Sequence, residues 1–398
     1  MYDIGFDEGG CEHNSCRRVD PSGSAGPSDA PSRPHRPDGH RSRGRPHEHL
    51  SDPSPNPDPM RAAAFSELSG PDGVELVDRP DPDPGRGEAV VDVEACSINR
   101  HDLWILEGDS AMVDADDLPF VSGLDVAGVV RDVGEGVTGV APGDRVLLCP
   151  NRTCGTCRFC REGPENLCEN FSLYHGGLAE AATVTADRLI ALPESVDAVA
   201  AAALPTAYLT AHHMLRRAEV GPGDLVFVPG ATGGVGVAAV QLAEVVGART
   251  VGTSSSASKL DRLADLGLDH AIEGTDPDDL REAVAAVGAP DAVINHLGGP
   301  YTDLGLDVMR RGGRMVVCGR TAGGRSEIDI ADLFLGHKRV VGSTMGTQPE
   351  LASLVELVAD GDLSPAVDAT YPLADTGDAF RAMRDRESVG KLVVTAAD

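Results

Sequence analysis

Apolar and polar positions follow three different patterns along the chain. Residues 1–59 have no sustained apolar periodicity and are rich in Pro, Ser, Gly, Asp, Arg and His. Such a segment buries too little apolar surface to offset the entropy lost on ordering. We therefore expect a disordered tail over residues 1–59. Cys11, His13 and Cys16 lie in it, and we interpret them as part of a solvated segment rather than as a metal site.

Short apolar runs begin at Met60. Three of these runs have the length and composition of strands: residues 88–98, 128–133 and 144–149. Turns containing glycine and proline accompany them. Up to about Leu204 this pattern predicts a small domain that is all-β or α+β.

From about Leu204 onward, short apolar runs alternate with longer amphipathic stretches. The short runs predict strands and the longer stretches predict helices. Alternation of this kind is typical of parallel β-α-β units. Strands are predicted over residues 225–229, 250–253, 291–295 and 314–318, and helices over residues 235–246 and 259–266.

Charge and composition narrow the classes of partner. The formal net charge is −29 and the sequence pI is about 4.6. Such a surface repels a phosphate backbone or an anionic membrane, so neither nucleic acid nor a membrane is an expected partner. The apolar runs are too short to cross a bilayer and the N-terminus does not resemble a secretory leader, so we expect a cytoplasmic protein. The acidic excess, with lysine at three positions, is typical of a halophilic protein from a salt-rich cytoplasm.

Four cysteines lie close together at Cys154, Cys157, Cys160 and Cys168. Four thiols at this spacing can surround one tetrahedral Zn²⁺ and leave no coordination position for a substrate. A cytosolic chain has little reason to form disulfides, so the quartet predicts one structural zinc ion. The cysteines in apolar runs are instead expected to be buried thiols: Cys96, Cys149 and Cys318.

A glycine-rich turn joins the predicted strand 225–229 to the next predicted helix. It reads Gly-Ala-Thr-Gly-Gly-Val-Gly over residues 230–236. Glycines let such a turn tighten, and they let the backbone approach a pyrophosphate at the positive end of a helix. Between a strand and a helix, the motif favours dinucleotide binding over a packing turn. The residues assigned to the cofactor are Thr232, Gly233, Gly234, Val235, Gly236, Ser254, Ser255, Lys259 and Gly319.

Together these motifs give a family resemblance that covers residues 60–398. The cysteine quartet and the turn resemble those of the zinc-containing medium-chain dehydrogenase/reductases, and the form of the turn resembles their quinone oxidoreductase branch. The resemblance implies an α/β fold in which a GroES-like β-rich catalytic domain is split around a Rossmann domain. The catalytic domain is expected at residues 60–204 and 345–398, its zinc lobe at about 150–170, and the Rossmann domain at 205–344.

The catalytic zinc ligands of the family's alcohol dehydrogenases are not matched. The resemblance places Asn99 where those enzymes have a cysteine and Leu124 where they have a histidine. The third ligand region, residues 203–208, contains neither a cysteine nor a carboxylate. Because a leucine side chain cannot bind a metal, the chain resembles the quinone oxidoreductases and enoyl reductases that keep the structural zinc alone.

A site without a Lewis acid must stabilise negative charge with hydrogen-bond donors. A quinone or an α,β-unsaturated carbonyl suits such a site, because hydride enters a conjugated system and the charge spreads to oxygen. Asn99 and Trp104 are the predicted donors. Asp102 is predicted to brace the pocket, with a solvated carboxylate as its alternative role. His101 and Tyr174 are further candidates for a donor or proton relay, with a packing or surface role as the alternative. No role is assigned to His212 and His213.

The second predicted Rossmann strand suggests the coenzyme. Ser254 lies where NAD-selective proteins carry an acidic residue that binds the ribose 2′-hydroxyl. Lys259 follows and can pair with a 2′-phosphate. NADPH is therefore the predicted coenzyme, with NADH as the alternative.

Two other functions stay open: a zinc alcohol dehydrogenase with unusual ligands, and a coenzyme-binding protein without turnover. The resemblance also implies a homodimer or homotetramer.

Overall fold

The structure is a computed structural model that describes residues 59–110 and 112–396. The predicted tail, apart from Pro59, lies outside the described residues, as do Cys11, His13 and Cys16.

The first part of the described chain is mostly strands, joined by turns in which glycine reverses the chain. Its strands are β1 (Met60–Phe65), β2 (Val74–Arg79), β3 (Glu88–Ser97), β4 (Asp125–Val133), β5 (Arg145–Leu148), β6 (Asn151–Arg152), β7 (Ser172–Leu173), β8 (Ala181–Thr185) and β9 (Leu189–Ala191). Its helices are α1 (Arg100–Leu106), α2 (Arg158–Glu162), α3 (Ala198–Ala202) and α4 (Leu209–Arg217).

The middle part alternates strands and helices and forms a six-stranded parallel sheet in the order β12-β11-β10-β13-β14-β15. The four residues of β10 are all buried, as expected for a strand covered on both faces. The strands are β10 (Leu225–Val228), β11 (Arg249–Ser254), β12 (His270–Glu273), β13 (Ala292–Asn295), β14 (Arg314–Val317) and β15 (Arg339–Gly342). The helices are α5 (Gly234–Val245), α6 (Ala257–Ala264), α7 (Pro277–Val287), α8 (Pro300–Val308) and α9 (Ile330–Leu335).

The last part of the chain returns to the first sheet. It contains α10 (Gln348–Asp360), β16 (Val367–Pro372), α11 (Thr376–Arg384) and β17 (Lys391–Thr395). Strand β17 pairs with β3, which produces a seven-stranded sheet in the order β16-β17-β3-β4-β5-β9, with β8 also paired to β3. In this sheet β3 lies between β17 and β4, so residues from all three strands can contact one another at the candidate active site.

The fold class predicted from the sequence is confirmed, since a GroES-like β-rich part and a Rossmann-type parallel sheet are both present. The predicted strands and helices of the parallel sheet shift by no more than two residues at either end. The predicted limits of the two domains stay a prediction. No helix in the described part of the chain is both long and apolar enough to cross a membrane.

Candidate coenzyme and active site

The glycine-rich turn lies between β10 and α5, at the carboxyl edge of the parallel sheet. Gly230 has a φ of +65°, in the left-handed region that favours glycine. A Cβ on Gly236 would lie 2.6 Å from the carbonyl oxygen of Ala231, so the start of α5 packs directly on the turn. Beside Gly233, the residue that caps α5, the nearest atom to such a Cβ is 3.9 Å away. The turn therefore has room for a pyrophosphate at the N-terminus of α5.

One end of the cleft beside this turn is lined by the residues predicted to bind the adenosine ribose. Ser254 ends β11 and is buried, with its hydroxyl 3.4 Å from that of Thr232. Ser255 is exposed. The Lys259 ammonium donates a hydrogen bond to the backbone carbonyl of Arg386. The structure therefore brings the two serines and the lysine together at one end of the cleft.

Two arginines that line the same cleft were missed by the sequence analysis. Arg386 follows α11 and is exposed, and Arg100 is the first residue of α1. Burial lowers the pKa of the Arg100 guanidinium, and the positive charge of Arg386 lowers it further. Mutually repelling cations inside a chain of net charge −29 favour an anionic ligand near them. No local motif marks either residue, because their segments meet only in the fold.

Gly319 does not line the cleft, although it was assigned to the cofactor. A Cβ at this position would lie 2.1 Å from the carbonyl oxygen of His296, so the glycine lets the loop after β14 pack against the loop after β13. The cleft at this edge is lined instead by His296, Thr321 and Ala322. Burial lowers the pKa of the His296 imidazole to about 4, which keeps the ring neutral at pH 7.

Asn99 lines the cleft and belongs to a buried hydrogen-bond network. Its Nδ2 atom donates to Asp125 at 2.9 Å, and its Oδ1 atom accepts from the Lys391 ammonium at 2.5 Å. The second N–H of the amide makes a contact of 3.5 Å with the carbonyl oxygen of Ser97. The two strong contacts fix the orientation of the amide, and the longer one leaves its second donor weakly engaged.

The network centres on a carboxylate that the sequence analysis did not single out. Asp125 is fully buried and accepts from Ser97 at 2.7 Å and from Thr206 at 2.5 Å, in addition to Asn99. Lys391 lies 3.5 Å from it. Burial raises the pKa of the Asp125 carboxyl, and Lys391 and the three donors oppose that shift. Burial likewise lowers the pKa of the Lys391 ammonium, and Asp125 opposes it.

Asp102 is buried and braces the site, so a solvated carboxylate is the wrong reading of this residue. One oxygen accepts from the backbone N–H of Asn99 at 2.8 Å, as part of the box that caps α1. The other accepts from the Ser122 hydroxyl at 2.5 Å and from the Gly123 N–H at 3.2 Å. Its acceptors are directed at the protein, and it holds Asn99 at the start of α1.

The other candidate donors, Trp104, His101 and Tyr174, lie outside the lining of the cleft. Trp104 is half-buried on α1, and the Arg320 guanidinium lies over its ring, 5.5 Å from the centroid. His101 stacks on His175 with ring centroids 5.6 Å apart, and its Nε2 atom is buried without a hydrogen-bond partner among the described residues. The Tyr174 hydroxyl lies 2.5 Å from that of Thr185. None of the three predicted residues lines the cleft that holds Asn99, so their roles in the reaction stay predictions.

The cysteine quartet forms one cluster. The Sγ atoms of Cys154, Cys157, Cys160 and Cys168 all lie within 4.8 Å of one another, and the 157–160 and 157–168 separations are 3.5 and 3.9 Å. A tetrahedral zinc ion with Zn–S bonds of about 2.3 Å requires Sγ separations of about 3.8 Å. Backbone N–H groups of residues 154 and 170 donate to the Cys168 sulfur. The cluster therefore fits a structural zinc ion.

The remaining cysteines follow the expectation of buried thiols in part. Cys96 and Cys149 are fully buried in the core, whereas Cys318 is half-buried.

The two histidines without a predicted role differ in burial. His212 is half-buried. His213 is buried and binds Glu350 at 2.9 Å, which links α4 to α10 and explains the residue by packing rather than catalysis.

The fold and the sites define a nucleotide-dependent oxidoreductase with a structural metal lobe. Residues 85–194 match the family model of the alcohol dehydrogenase GroES-like domain, and residues 234–360 match that of the zinc-binding dehydrogenase. The chain therefore belongs to the medium-chain dehydrogenase/reductase family of oxidoreductases.

Its relatives include proteins of two kinds. An acryloyl-coenzyme A reductase of Metallosphaera sedula is 30% identical over 81% of this chain and 96% of its own length. An alcohol dehydrogenase of a Moraxella species is 32% identical over 84% of this chain and 99% of its own length. A solved 2-octenoyl-CoA carboxylase reductase in complex with NADP and 2-octenoyl-CoA is 29% identical, covers 86% of this chain and 88% of its own, and has a TM-score of 0.79.

Proposed function

We propose that this oxidoreductase transfers a hydride from NADPH to a quinone or an α,β-unsaturated carbonyl, without a catalytic metal. The observation that carries the proposal is the set of side chains at the family's catalytic metal positions. Asn99 and Leu124 lie at two of them, Leu124 is fully buried and apolar, and the third region, residues 203–208, contains neither a cysteine nor a carboxylate. The relatives named as reductases of acryloyl-CoA and 2-octenoyl-CoA support a conjugated carbonyl as the acceptor.

When bound, NADPH supplies the hydride. The turn at residues 230–236 would hold its phosphates, and the loops after β13 and β14 border the rest of the cleft. Asn99 donates its weakly engaged N–H to the carbonyl oxygen, which becomes negatively charged as the conjugated system is reduced. The reduction also consumes one proton, for which His101, stacked on His175, is the candidate relay.

Activity with a panel of acceptors tests this function. Oxidation of NADPH is followed with several quinones and enones, and oxidation of ethanol and benzyl alcohol is followed in the reverse direction. We expect reduction of at least one conjugated acceptor and little alcohol oxidation. Alcohol oxidation should be slow because neither the Asn99 nor the Leu124 side chain can lower the pKa of an alcohol as a zinc ion does. A chelator-sensitive alcohol dehydrogenase activity would support the zinc enzyme instead. Coenzyme binding without turnover of any substrate would support the binding protein.

We also propose a preference for NADPH over NADH. Ser254, Ser255 and Lys259 meet at one end of the cleft, and Arg386 adds a second positive charge. The variant Ser254→Asp should shift the ratio of kcat/KM values towards NADH, because a carboxylate repels a 2′-phosphate and binds a ribose hydroxyl. Steady-state kinetics with both coenzymes measures the ratio. Equal efficiency of the wild-type enzyme with both coenzymes would refute the preference.

Self-association is proposed from an apolar surface at the edge of the parallel sheet. Helix α9 exposes Ile330, Phe334 and Leu335 by 60 to 65%, and β15, the last strand of the sheet, exposes Val340. A second copy related by a two-fold axis would extend the sheet and cover these side chains, giving a homodimer or, with a second interface, a homotetramer. The double variant Ile330→Asp/Phe334→Asp should then be monomeric by light scattering. A monomeric wild-type protein would refute the proposal.

A further inference from the structure

Lys391 is a buried cation at the floor of the coenzyme cleft. Its side chain is 3% exposed, and its ammonium donates to the carbonyl oxygen of Ile98 at 2.9 Å and to Asn99 Oδ1 at 2.5 Å. It also forms a 3.5 Å ion pair with Asp125. The fixed positive charge nearest to the predicted oxyanion donor is therefore an ammonium group.

Strand pairing explains how this cation reaches the site. Val393 on β17 lies opposite Ser97 on β3, and Ser97 lies opposite Asp125 on β4. Continuing the first pairing by two residues places Lys391 beside Asn99. Three neighbouring strands thus bring the lysine, the amide and the carboxylate into contact, although Lys391 and Asn99 are 292 residues apart in the chain.

The same residue is tied to the coenzyme turn. The backbone N–H of Gly390 donates to the Thr232 carbonyl oxygen at 3.1 Å. A Cβ on Gly234 would lie 3.1 Å from Lys391 Cδ, so the lysine stem packs directly against the first residue of α5. Lys391 therefore contacts both the glycine-rich turn and the Asn99 amide, the predicted donor to the acceptor oxygen.

We infer that Lys391 is a positioning residue for the reductive step, and that it acts through Asn99. This inference rests on the proposed function. The ammonium fixes the Asn99 amide with Oδ1 towards Lys391, so that Nδ2 is the atom left to donate. Its pairing with the Asp125 carboxylate is the structural part of the arrangement, because it keeps that buried charge from being left unpaired. Donation to Oδ1 polarises the amide and strengthens its N–H donors.

Variants at both ends of the ion pair separate this role from a structural one. Lys391→Met leaves a buried carboxylate unpaired, so the protein should lose thermal stability as well as activity. Adding Asp125→Asn removes that charge, and the double variant Lys391→Met/Asp125→Asn should regain much of the lost Tm. Its kcat for an enone should nevertheless stay about 100-fold below that of the wild-type enzyme, because the Asn99 amide is no longer held in the orientation that donates to the acceptor oxygen. Lys391→Arg should restore part of the activity.

The matched control is Arg314→Met. Arg314 is another shielded cation, 12% exposed and 3.2 Å from Asp224, at the amino end of β14 and so opposite the cleft. This variant should lower Tm and leave kcat unchanged. Each variant is measured by thermal unfolding, by fluorescence titration with NADPH, and by single-turnover kinetics with NADPH and with its 4-deuterated form, whose isotope effect reports directly on hydride transfer.

The outcomes are distinct. A low kcat with a full isotope effect and nearly unchanged NADPH affinity in the double variant supports the inference. A double variant that regains both Tm and kcat would assign Lys391 a structural role and overturn it. Weakened NADPH binding with normal kcat would mean that the ammonium serves the phosphates, which also overturns it. If the wild-type enzyme itself reduces no acceptor, the proposed function fails, and the role of Lys391 in it fails with it.

Discussion

Asn99→Ala should lower kcat for the reduction of a conjugated acceptor by about 100-fold or more, the typical effect of removing one donor to a developing oxyanion. The variant loses the N–H that is weakly engaged by Ser97 and the acceptor that holds the Lys391 ammonium. NADPH affinity should stay nearly unchanged, because the coenzyme is held mainly by the turn that includes residues 233–236. Steady-state kinetics and a coenzyme titration measure both quantities.

A buried asparagine away from the cleft provides the control. Asn151 is fully buried and donates to the carbonyl oxygen of Gly346 at 2.7 Å. Asn151→Ala removes a buried hydrogen bond of similar quality, so we expect a loss of stability with kcat retained. If both variants lowered kcat equally, or if Asn99→Ala lost NADPH binding and turnover together, the donor role of Asn99 would be wrong.

Cys157→Ser should release the zinc ion and destabilise the lobe around residues 150–170. The four thiols form a closed tetrahedral set, so the metal supports folding rather than a reacting atom. Structural zinc sites bind with about 10–16 kcal/mol in small peptides, which is comparable to the whole free energy of unfolding of a typical domain, about 5–15 kcal/mol. We expect close to one zinc per chain in the wild-type protein, a clearly lower Tm in the variant, and hydride transfer that persists at temperatures where the variant stays folded.

Cys318→Ser is the control for the zinc prediction, because Cys318 lies outside the quartet and should leave the metal content unchanged. Elemental analysis and thermal unfolding of both variants give the comparison. Two equivalents of zinc in the wild-type protein would contradict the loss of the catalytic site. A Cys157→Ser protein that kept its zinc and its Tm but lost turnover would contradict the structural assignment.

Local patterns in the sequence were sufficient to predict the strands and helices of the parallel sheet, the cysteine quartet and the glycine-rich turn. The alternation of strands and helices, the quartet at residues 154–168 and the turn at residues 230–236 are each encoded within a few dozen residues. Such features depend on backbone conformation and short-range spacing, so they can be recognised without knowing what packs against them. The same reasoning predicted that Ser254 and Lys259 bind the ribose end of the coenzyme, because a second strand follows the turn at a fixed distance, and both residues line the cleft.

The charged groups around the cleft could not be found in this way. Arg100 and Arg386 come from α1 and from the segment after α11, and no motif joins them. Lys391 and Asp125 meet Asn99 because β17, β3 and β4 are neighbours in one sheet. The register between those strands is set by tertiary packing, and a single-residue shift would turn each side chain to the opposite face.

The sequence by itself therefore determined the fold class and the cysteine cluster, and it predicted the coenzyme turn and the loss of catalytic zinc ligands at Asn99 and Leu124. Tertiary structure decided whether Asp102 was solvated or a brace, and it removed Gly319 from the cleft lining. It also decided which charged groups contact Asn99, namely Asp125 and Lys391. The physical reason is that motifs record local backbone and ligand chemistry, whereas burial and ion pairing depend on which distant strands share a sheet.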